Sequence, residues 1–335
     1  MRRYGDGSLK KKAKASAPAK VILFGEHFVV YGEPAIVLAI DKRVTVSANI
    51  RSDQKIFIKS EDISISGFFK DELFFPERGG SEAEEKLKPI YAVAKEIIKR
   101  CHVNSGVNID IKSSIPIAAG LGSSAAVSAA SAAALYSLFE YDATNDDIFQ
   151  TALDAEKLVH GNPSGIDPAI STYGGILQYQ KSKPIQRLEI NIDLPLIIGN
   201  TGKERSTGEL VGKVSSLRRR YPTIVEKVIK AGGEIAKRSL KALSDGDLKT
   251  LGELMNINHE LLCALGVSCE ELERLVHAAR KAGALGAKLT GAGGGGCMIA
   301  LVSPEKIRDV AYAIEAAGGE PLITRKTDVG VIIEE

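Results

Sequence analysis

The chain has 335 residues, of which 44% are hydrophobic and 26% charged, an ordinary globular composition with room for about two domains. The 44 Lys and Arg residues against 42 Asp and Glu residues give a formal net charge of +2. That balance argues against nucleic acid or an anionic membrane as the main partner. No apolar run reaches the length of a membrane span, and the four cysteines form no C-x-x-C motif. We therefore expect a cytoplasmic protein with reduced thiols.

The N-terminal part begins with a basic segment and continues as strands. Residues 1–16 carry six Lys or Arg residues against a single Asp, which predicts a solvated arm, with a nucleic-acid-binding arm as the alternative. From residue 20 to residue 50, short apolar runs, one of them at residues 29–31, alternate with Gly, Pro and charged residues, a pattern typical of strands. Apolar residues at helical spacing then predict a helix over 86–100, and a strand follows at 107–111.

The rest of the chain alternates helical and strand patterns. Residues 123–139 predict an Ala-rich buried helix entered from a glycine loop. We place a domain boundary near residues 193–195, where Asp, Leu and Pro interrupt the pattern. The other predicted helices are at 151–160, 222–239, 248–265 and 268–283, and the other predicted strands are at 176–180, 185–190, 297–302 and 330–333. The sequence thus predicts an α+β fold with an arm (1–16), a first domain (17–192) and a second domain (193–335).

Two glycine-rich loops are candidate phosphate sites. Glycines let backbone N–H groups approach an anion, and a helix that begins at the loop adds the positive end of its dipole. The alternative is a pair of tight turns that need glycine for their backbone conformation. The first loop consists of Pro116, Ile117, Ala118, Ala119, Gly120, Leu121, Gly122, Ser123, Ser124, Ala125 and Ala126. The second contains Gly291, Ala292, Gly293 and Gly294.

Neither loop fits the common nucleotide-binding motifs. Both match the spacing of the dinucleotide fingerprint. A Rossmann strand should run directly into the first glycine, however, and in the first loop Ser113-Ser114-Ile115-Pro116 intervenes. The second loop is followed by a predicted strand instead of a helix. Neither contains the Gly-Lys-Ser/Thr of a Walker A motif. The sequence therefore argues against a Rossmann dehydrogenase and a P-loop nucleotidase.

Two carboxylates are candidates for phosphoryl-transfer chemistry. Glu156 lies on a predicted helix and Asp167 eleven positions later, so the pair could supply a magnesium ligand and a group beside the acceptor hydroxyl. The alternative for Asp167, which precedes Pro168, is a helix N-cap. The alternative for Glu156 is a surface pair with His160.

Four further polar residues could point into a cleft beside the phosphates. Lys20 stands at the predicted start of an apolar strand, and Glu26 and His27 follow a glycine. The alternative for Lys20 is an ordinary solvated side chain, which is the usual state of a lysine at a strand end. Thr207 lies inside the sequence Ser-Thr-Gly-Glu, a capping box that predicts a helix start at which a hydroxyl could contact phosphate or substrate.

Together these segments resemble the GHMP small-molecule kinases. The resemblance rests on residues 17–32 (APAKVILFGEHFVVYG), on the loop 116–126 and on residues 288–297 (KLTGAGGGGC), which occur in the family's order and span most of the chain. Residues 160–167 are similar to the stretch that bears the catalytic aspartate in the members that phosphorylate mevalonate, and the run after Phe24 is also most similar to those members. The resemblance implies an N-terminal α+β domain, a C-terminal ferredoxin-like α+β domain and an active site between them.

The resemblance also implies roles for the candidate residues. The first loop would bind the ATP phosphates, Ser124 and Glu156 would hold Mg²⁺, and Glu26, His27 and Thr207 would contact the acceptor. Asp167 would accept or orient the proton of the C5 hydroxyl of (R)-mevalonate, with Lys20 stabilising the attacking oxygen. The glycines at 291–296 would shape the far wall of the cleft. Family members commonly dimerise, so we expect a homodimer.

Three alternatives remain at this stage. The acceptor could be another small alcohol, such as phosphomevalonate or a sugar. The chain could be a catalytically silent sensor with the same fold, or a regulator that binds nucleic acid through its basic arm. The complete set of Lys20, Ser124, Glu156 and Asp167 favours the enzyme, which would use ATP and mevalonate and need neither nucleic acid nor a membrane.

Overall fold

The long strand β1 (Lys12–Phe24) organises the first lobe of the molecule. The computed structural model describes residues 10–80, 82–116, 120–160, 163–204 and 206–334. The lobe's other elements are β2 (Ala35–Ile50), β3 (Ile56–Ser60), β4 (Ile65–Lys70), β5 (Leu73–Arg78), α1 (Glu82–Arg100), β6 (Val107–Ser113), α2 (Ser123–Leu138), α3 (Asn145–His160), α4 (Ile166–Tyr173), β7 (Ile176–Tyr179) and β8 (Gln186–Leu188). A 3₁₀ helix covers Phe28–Tyr31, so the predicted strand at 29–31 is wrong.

The second lobe is a smaller α+β unit. Its elements are β9 (Pro195–Asn200), α5 (Thr207–Arg220), α6 (Pro222–Asp245), α7 (Leu248–Ala264), α8 (Glu270–Lys281), β10 (Gly286–Leu289), β11 (Cys297–Leu301), α9 (Ile307–Ala316) and β12 (Glu320–Arg325). Its four strands form an antiparallel sheet in the order β10-β11-β9-β12. This confirms the predicted two-lobed α+β architecture.

Within the described ranges, the sheet of the first lobe has nine strands, one of which comes from residues 332–334. Its main path is β13-β1-β2-β6-β3-β4-β5, where β13 (Ile332–Glu334) pairs antiparallel with the start of β1. Strands β7 and β8 extend the sheet from β2. The last strand of the second predicted domain, 193–335, thus pairs in the sheet of the first lobe.

The predicted basic arm is also shorter than expected. Lysines and alanines alternate at the start of β1, with Lys12 and Lys14 exposed and Ala13 and Ala15 buried. This is the period of a half-buried strand, which the count of basic residues concealed. Residues 12–16 are therefore strand, and the arm predicted for 1–16 is wrong over that stretch; residues 1–9 lie outside the described part.

Helix α2 is the central helix of the first lobe. Thirteen of its sixteen residues are buried, and it packs against β1 and β2. Most of its side chains are the small residues Ala and Ser, so the sheet and the neighbouring helices can pack closely around it. This packing fixes the N-terminus of α2 next to the cleft between the lobes. No helix in the described ranges is long and apolar enough to cross a membrane.

Candidate active site

A cleft of about 710 Å³ lies between the two lobes. The first lobe contributes β1, the turn after it, the first glycine loop, α3 and α4, and the second contributes α5 and the second glycine loop. The predicted site residues that line the cleft are Lys20, Glu26, His27, Pro116, Gly120, Leu121, Gly122, Ser123, Ser124, Glu156, Asp167, Thr207, Gly291 and Ala292. Residues that are distant in sequence thus share one concave site.

Lys20 and Asp167 form an ion pair in this cleft. Lys20 Nζ lies 3.3 Å from Asp167 Oδ1, and the Lys20 side chain is only 8% exposed against 28% for Asp167. Asp167 is in the first turn of α4, whose N-cap is Gly165, so the alternative of Asp167 as the N-cap is wrong. The carboxylate instead faces the cleft beside a buried ammonium group.

The first glycine loop leads directly into α2. The N-cap of α2 is Gly122, which is in the left-handed conformation with φ 76°. The first hydrogen bond of the helix runs from Ala126 N–H to Gly122 O. The N–H groups of Ser123 and Ser124 have no acceptor within the helix and are available to an anion. The side chains of Ala125 and Ala126 are buried instead, and Ile117, Ala118 and Ala119 lie outside the described residues.

Glu156 is a partly buried acid on the same side of the cleft. Burial, followed by the charge of Asp167, raises its pKa to about 7, while Lys20 acts in the opposite direction. Its Oε2 is buried without a hydrogen-bond partner in the described part of the chain. The exposed residue Ser124 lines the same cleft with its hydroxyl group. Carboxylate and hydroxyl oxygens of this kind are suitable ligands for a hard divalent cation.

Glu26 forms a buried cluster instead of facing the cleft freely. The side chains of Glu26 and Lys288 are both 0% exposed and form an ion pair, while Asn258 Nδ2 donates to Glu26 Oε2 over 3.2 Å. Burial lowers the pKa of Lys288, and Glu26 opposes this. Both carboxylate oxygens of Glu26 therefore have donors within the protein.

His27 joins the two lobes across the floor of the cleft. Its Nε2 lies 2.7 Å from Ala292 O, and because a carbonyl only accepts, Nε2 carries the proton. In the second loop, Gly291 and Ala292 line the cleft. Gly293 is packed so tightly that a Cβ there would lie 2.0 Å from Val267 O, and Gly294 N–H donates to the same carbonyl. Gly293 and Gly294 therefore pack behind Gly291 and Ala292 and shape this wall of the cleft.

The helix start predicted at Ser206–Thr207 is confirmed. Ser206 is the N-cap and its side chain accepts from Glu209 N–H. Thr207 is the first residue of the helix and lines the cleft with Gly208. Only Val214 is buried along α5, so this helix is a thinly packed wall of the site.

A second cavity beside the first has no signal in the sequence. It has a volume of about 520 Å³, and Ser123 and Ser124 line both cavities. Its walls include Leu87 and Ile90 of α1, Ile111 of β6 and Val127 of α2. Because these residues read individually as ordinary core positions, only the folded structure shows the cavity.

Family models and relatives agree with this geometry. Residues 88–175 match the GHMP kinases N terminal domain, and residues 239–320 match the GHMP kinases C terminal model. A mevalonate kinase from Thermococcus sibiricus is 44% identical over 330 residues, covering 96% of this chain and 98% of that protein.

Solved structures give the same result. The crystal structure of L. major mevalonate kinase in complex with R-mevalonate has a TM-score of 0.83 at 27% identity, covering 98% of this chain and 100% of that chain. The crystal structure of Methanococcus jannaschii mevalonate kinase has a TM-score of 0.81 at 29% identity, covering 96% of this chain and 100% of that chain. The similarity therefore extends across both lobes.

Proposed function

The chain belongs to the GHMP kinase family, and we propose that it is a mevalonate kinase. It transfers the γ-phosphoryl group of ATP to the C5 hydroxyl of (R)-mevalonate, giving 5-phosphomevalonate and ADP for isoprenoid biosynthesis. The observation that carries this proposal is the Lys20–Asp167 pair at 3.3 Å, in one cleft with the N-terminus of α2. A candidate base (Asp167), a positively charged side chain (Lys20) and an anion site (the N-terminus of α2) thus lie in one cleft.

The nucleotide lies along the first glycine loop. The N–H groups of Ser123 and Ser124 donate to its phosphates, and the positive end of the α2 dipole stabilises their charge. The adjoining cavity is mostly apolar and continuous with the loop at these two serines, so it receives the adenosine. This arrangement points the γ-phosphate toward Asp167.

Ser124 and Glu156 would hold Mg²⁺. The buried Oε2 of Glu156 lacks a hydrogen-bond donor in the described structure, and hydroxyl and carboxylate oxygens are the ligands that Mg²⁺ prefers. When bound, the ion neutralises charge on the β- and γ-phosphates. Because the pKa of Glu156 is raised to about 7, the protein must release a proton from this acid to bind the cation near neutral pH.

Asp167 and Lys20 activate the acceptor. Asp167 accepts the proton of the C5 hydroxyl as the oxygen attacks the γ-phosphorus in line. Lys20 stabilises the negative charge that develops on the attacking oxygen, and its burial strengthens this interaction. The turn with Glu26 and His27, together with Thr207 on α5, forms the acceptor's side of the cleft.

We propose that the protein acts as a homodimer in the cytoplasm, as expected for a small metabolic enzyme of this family. It needs neither nucleic acid nor a membrane. All four cysteines lie in the described ranges and none is in a disulfide, which supports a reducing compartment. The division of the chain into 17–192 and 193–335 describes the two lobes apart from the returning strand β13.

A coupled ADP-release assay tests the activity. Purified protein with Mg-ATP is supplied in parallel with (R)-mevalonate, phosphomevalonate, galactose and homoserine. We expect kcat/KM to be far higher for mevalonate than for the other acceptors. A higher value for another acceptor would refute the substrate, and no turnover on any acceptor would refute the enzyme and favour a silent sensor.

A further inference from the structure

Lys288 is a buried charge that the mechanism above does not use. Its side chain is 0% exposed and paired with Glu26, whose side chain is equally inaccessible. Fully buried lysines are rare in proteins. A buried ion pair gives little net stability over apolar residues of similar volume, because desolvation offsets the attraction. The presence of this pair therefore calls for an explanation other than stability.

The position of the pair suggests that explanation. Lys288 lies on β10 just before the second glycine loop, and Glu26 lies just before the 3₁₀ helix that follows β1. On either side, the same two segments are joined again. Ile22 N–H donates to Thr290 Oγ1 over 3.1 Å, Thr290 Oγ1 donates to Ile22 O over 2.9 Å, and His27 Nε2 donates to Ala292 O.

These contacts form a seam between the lobes at the cleft. We define this seam as residues 22–27 of the first lobe and 288–292 of the second. Ile22, Glu26, His27, Gly291 and Ala292 all line the cleft, so any sliding between the two segments displaces one wall of the site. The ion pair lies inside the seam and is held from behind by Asn258 of α7.

We propose that Lys288 is a positioning residue, which fixes Glu26 and thereby sets His27 and Ala292 at the spacing that the acceptor needs. This rests on the proposed function, since it assigns the seam to the acceptor side of the kinase cleft. The nucleotide side, formed by the first glycine loop and α2, makes no contact with the pair in the described contacts. Loss of the pair thus impairs use of the acceptor much more than use of ATP.

The test is a double variant that removes both charges, Lys288→Met with Glu26→Gln. Lys288→Met alone would leave a buried unpaired carboxylate and could prevent folding. In the double variant, the amide introduced at position 26 can donate to Asn258 Oδ1, which is buried without a partner in the described structure. We therefore expect a folded protein with a melting temperature close to that of the wild type.

We expect kcat/KM for the acceptor to fall about 100-fold in the double variant, because small misplacements in a reacting site have effects of this size. KM for ATP should change less than about twofold, and the ring ¹⁵N signals of His27 should shift. The matched control is Lys306→Met with Asp309→Asn, which removes an exposed ion pair remote from the cleft and should leave all three readouts unchanged.

A folded double variant with wild-type acceptor kinetics and an unchanged His27 signal would overturn the proposal, as would an equal loss for acceptor and ATP. Failure of the proposed function is seen separately, in the wild-type acceptor panel. If that panel identifies another acceptor, the same comparison is made with it, and the His27 signal tests the seam in either case.

Discussion

Gly122 and Lys20 lie so close together that a Cβ at position 122 would be 2.7 Å from Lys20 Cγ. Lys20 N–H also donates to Leu121 O over 2.9 Å, so β1 and the first glycine loop are joined at both backbone and side chain. The absence of a side chain at 122 is what allows the lysine to pass the loop and reach Asp167. One glycine therefore serves both the proposed phosphate site and the proposed catalytic pair.

Gly122→Ala should damage both halves of the site. The added Cβ pushes Lys20 away from Asp167, and φ 76° is strained for alanine. We expect kcat/KM for mevalonate to fall about 100-fold, measured by the coupled assay. Gly212→Ala on α5 is the control, because nothing lies within 4 Å of its Cβ position. A Gly122→Ala enzyme with wild-type turnover would show that the close contact has no catalytic role.

Asp167→Asn should abolish most turnover while ATP still binds. The change keeps the shape of the side chain but removes the proposed acceptor of the hydroxyl proton, and such groups contribute about 10²–10⁴-fold to the rate. Asp167→Ala should give at least as large a loss. Calorimetric ATP affinity should stay within about threefold, because Asp167 acts mainly in the transition state. A modest loss of kcat would mean that another group takes the proton.

Glu156→Gln should make the free protein more stable at pH 8 but a poor enzyme. Since folding raises the pKa of Glu156 to about 7, the folded state binds more protons than the unfolded state between about pH 4.5 and 7. The wild type therefore loses stability as the pH rises through this window. The gain of the variant in melting temperature should be full at pH 8 and vanish near pH 4.5.

The exposed change Glu234→Gln is the control for that titration, because Glu234 lies on the solvent side of α6. Its melting temperature should follow the wild type at every pH. If the gain from Glu156→Gln were the same at pH 4.5 and pH 8, the raised pKa would not be its cause. The variant should also need much more Mg²⁺ for half-maximal activity, since it has lost an anionic ligand.

Val127→Phe should weaken nucleotide binding selectively. Val127 lines the cavity beside the loop but not the cleft that contains Asp167, and a larger side chain there fills space that the adenosine needs. We expect KM for ATP to rise about tenfold or more, with KM for mevalonate unchanged. An unchanged KM for ATP would exclude this cavity as the adenosine site.

The helices and strands were predicted well where the signal lies in residues that are close in sequence. The helix over 123–139 and the glycine loop before it were confirmed as α2 and its N-cap. The helix predicted from 151 begins earlier, at Asn145, because Thr144 and Asp147 cap each other's backbone N–H groups. The Thr-x-x-Asp spacing is the signal in the sequence that indicates this earlier start.

Pairings between distant residues could not be read from spacing. Lys20 and Asp167 are 147 positions apart, and only the family resemblance suggested that they meet. The burial of Lys288 could not be predicted either, since a lysine between apolar residues is expected to extend its ammonium group to solvent. Its burial depends on Glu26, which comes from the other lobe. Such contacts arise from the packing of the lobes, which local propensity does not encode.

The pairing of β13 with β1 brings the two ends of the described chain together. Lys14 lies opposite Glu334, and Ser16 lies opposite Ile332. On the ribosome, β1 is made first among the described strands and β13 last, so this edge of the sheet stays open until synthesis of the described chain is complete. Closing so long a loop costs conformational entropy and slows folding. The sheet of the lobe that contains Lys20 and Asp167 is therefore completed by the last of the described strands to be made.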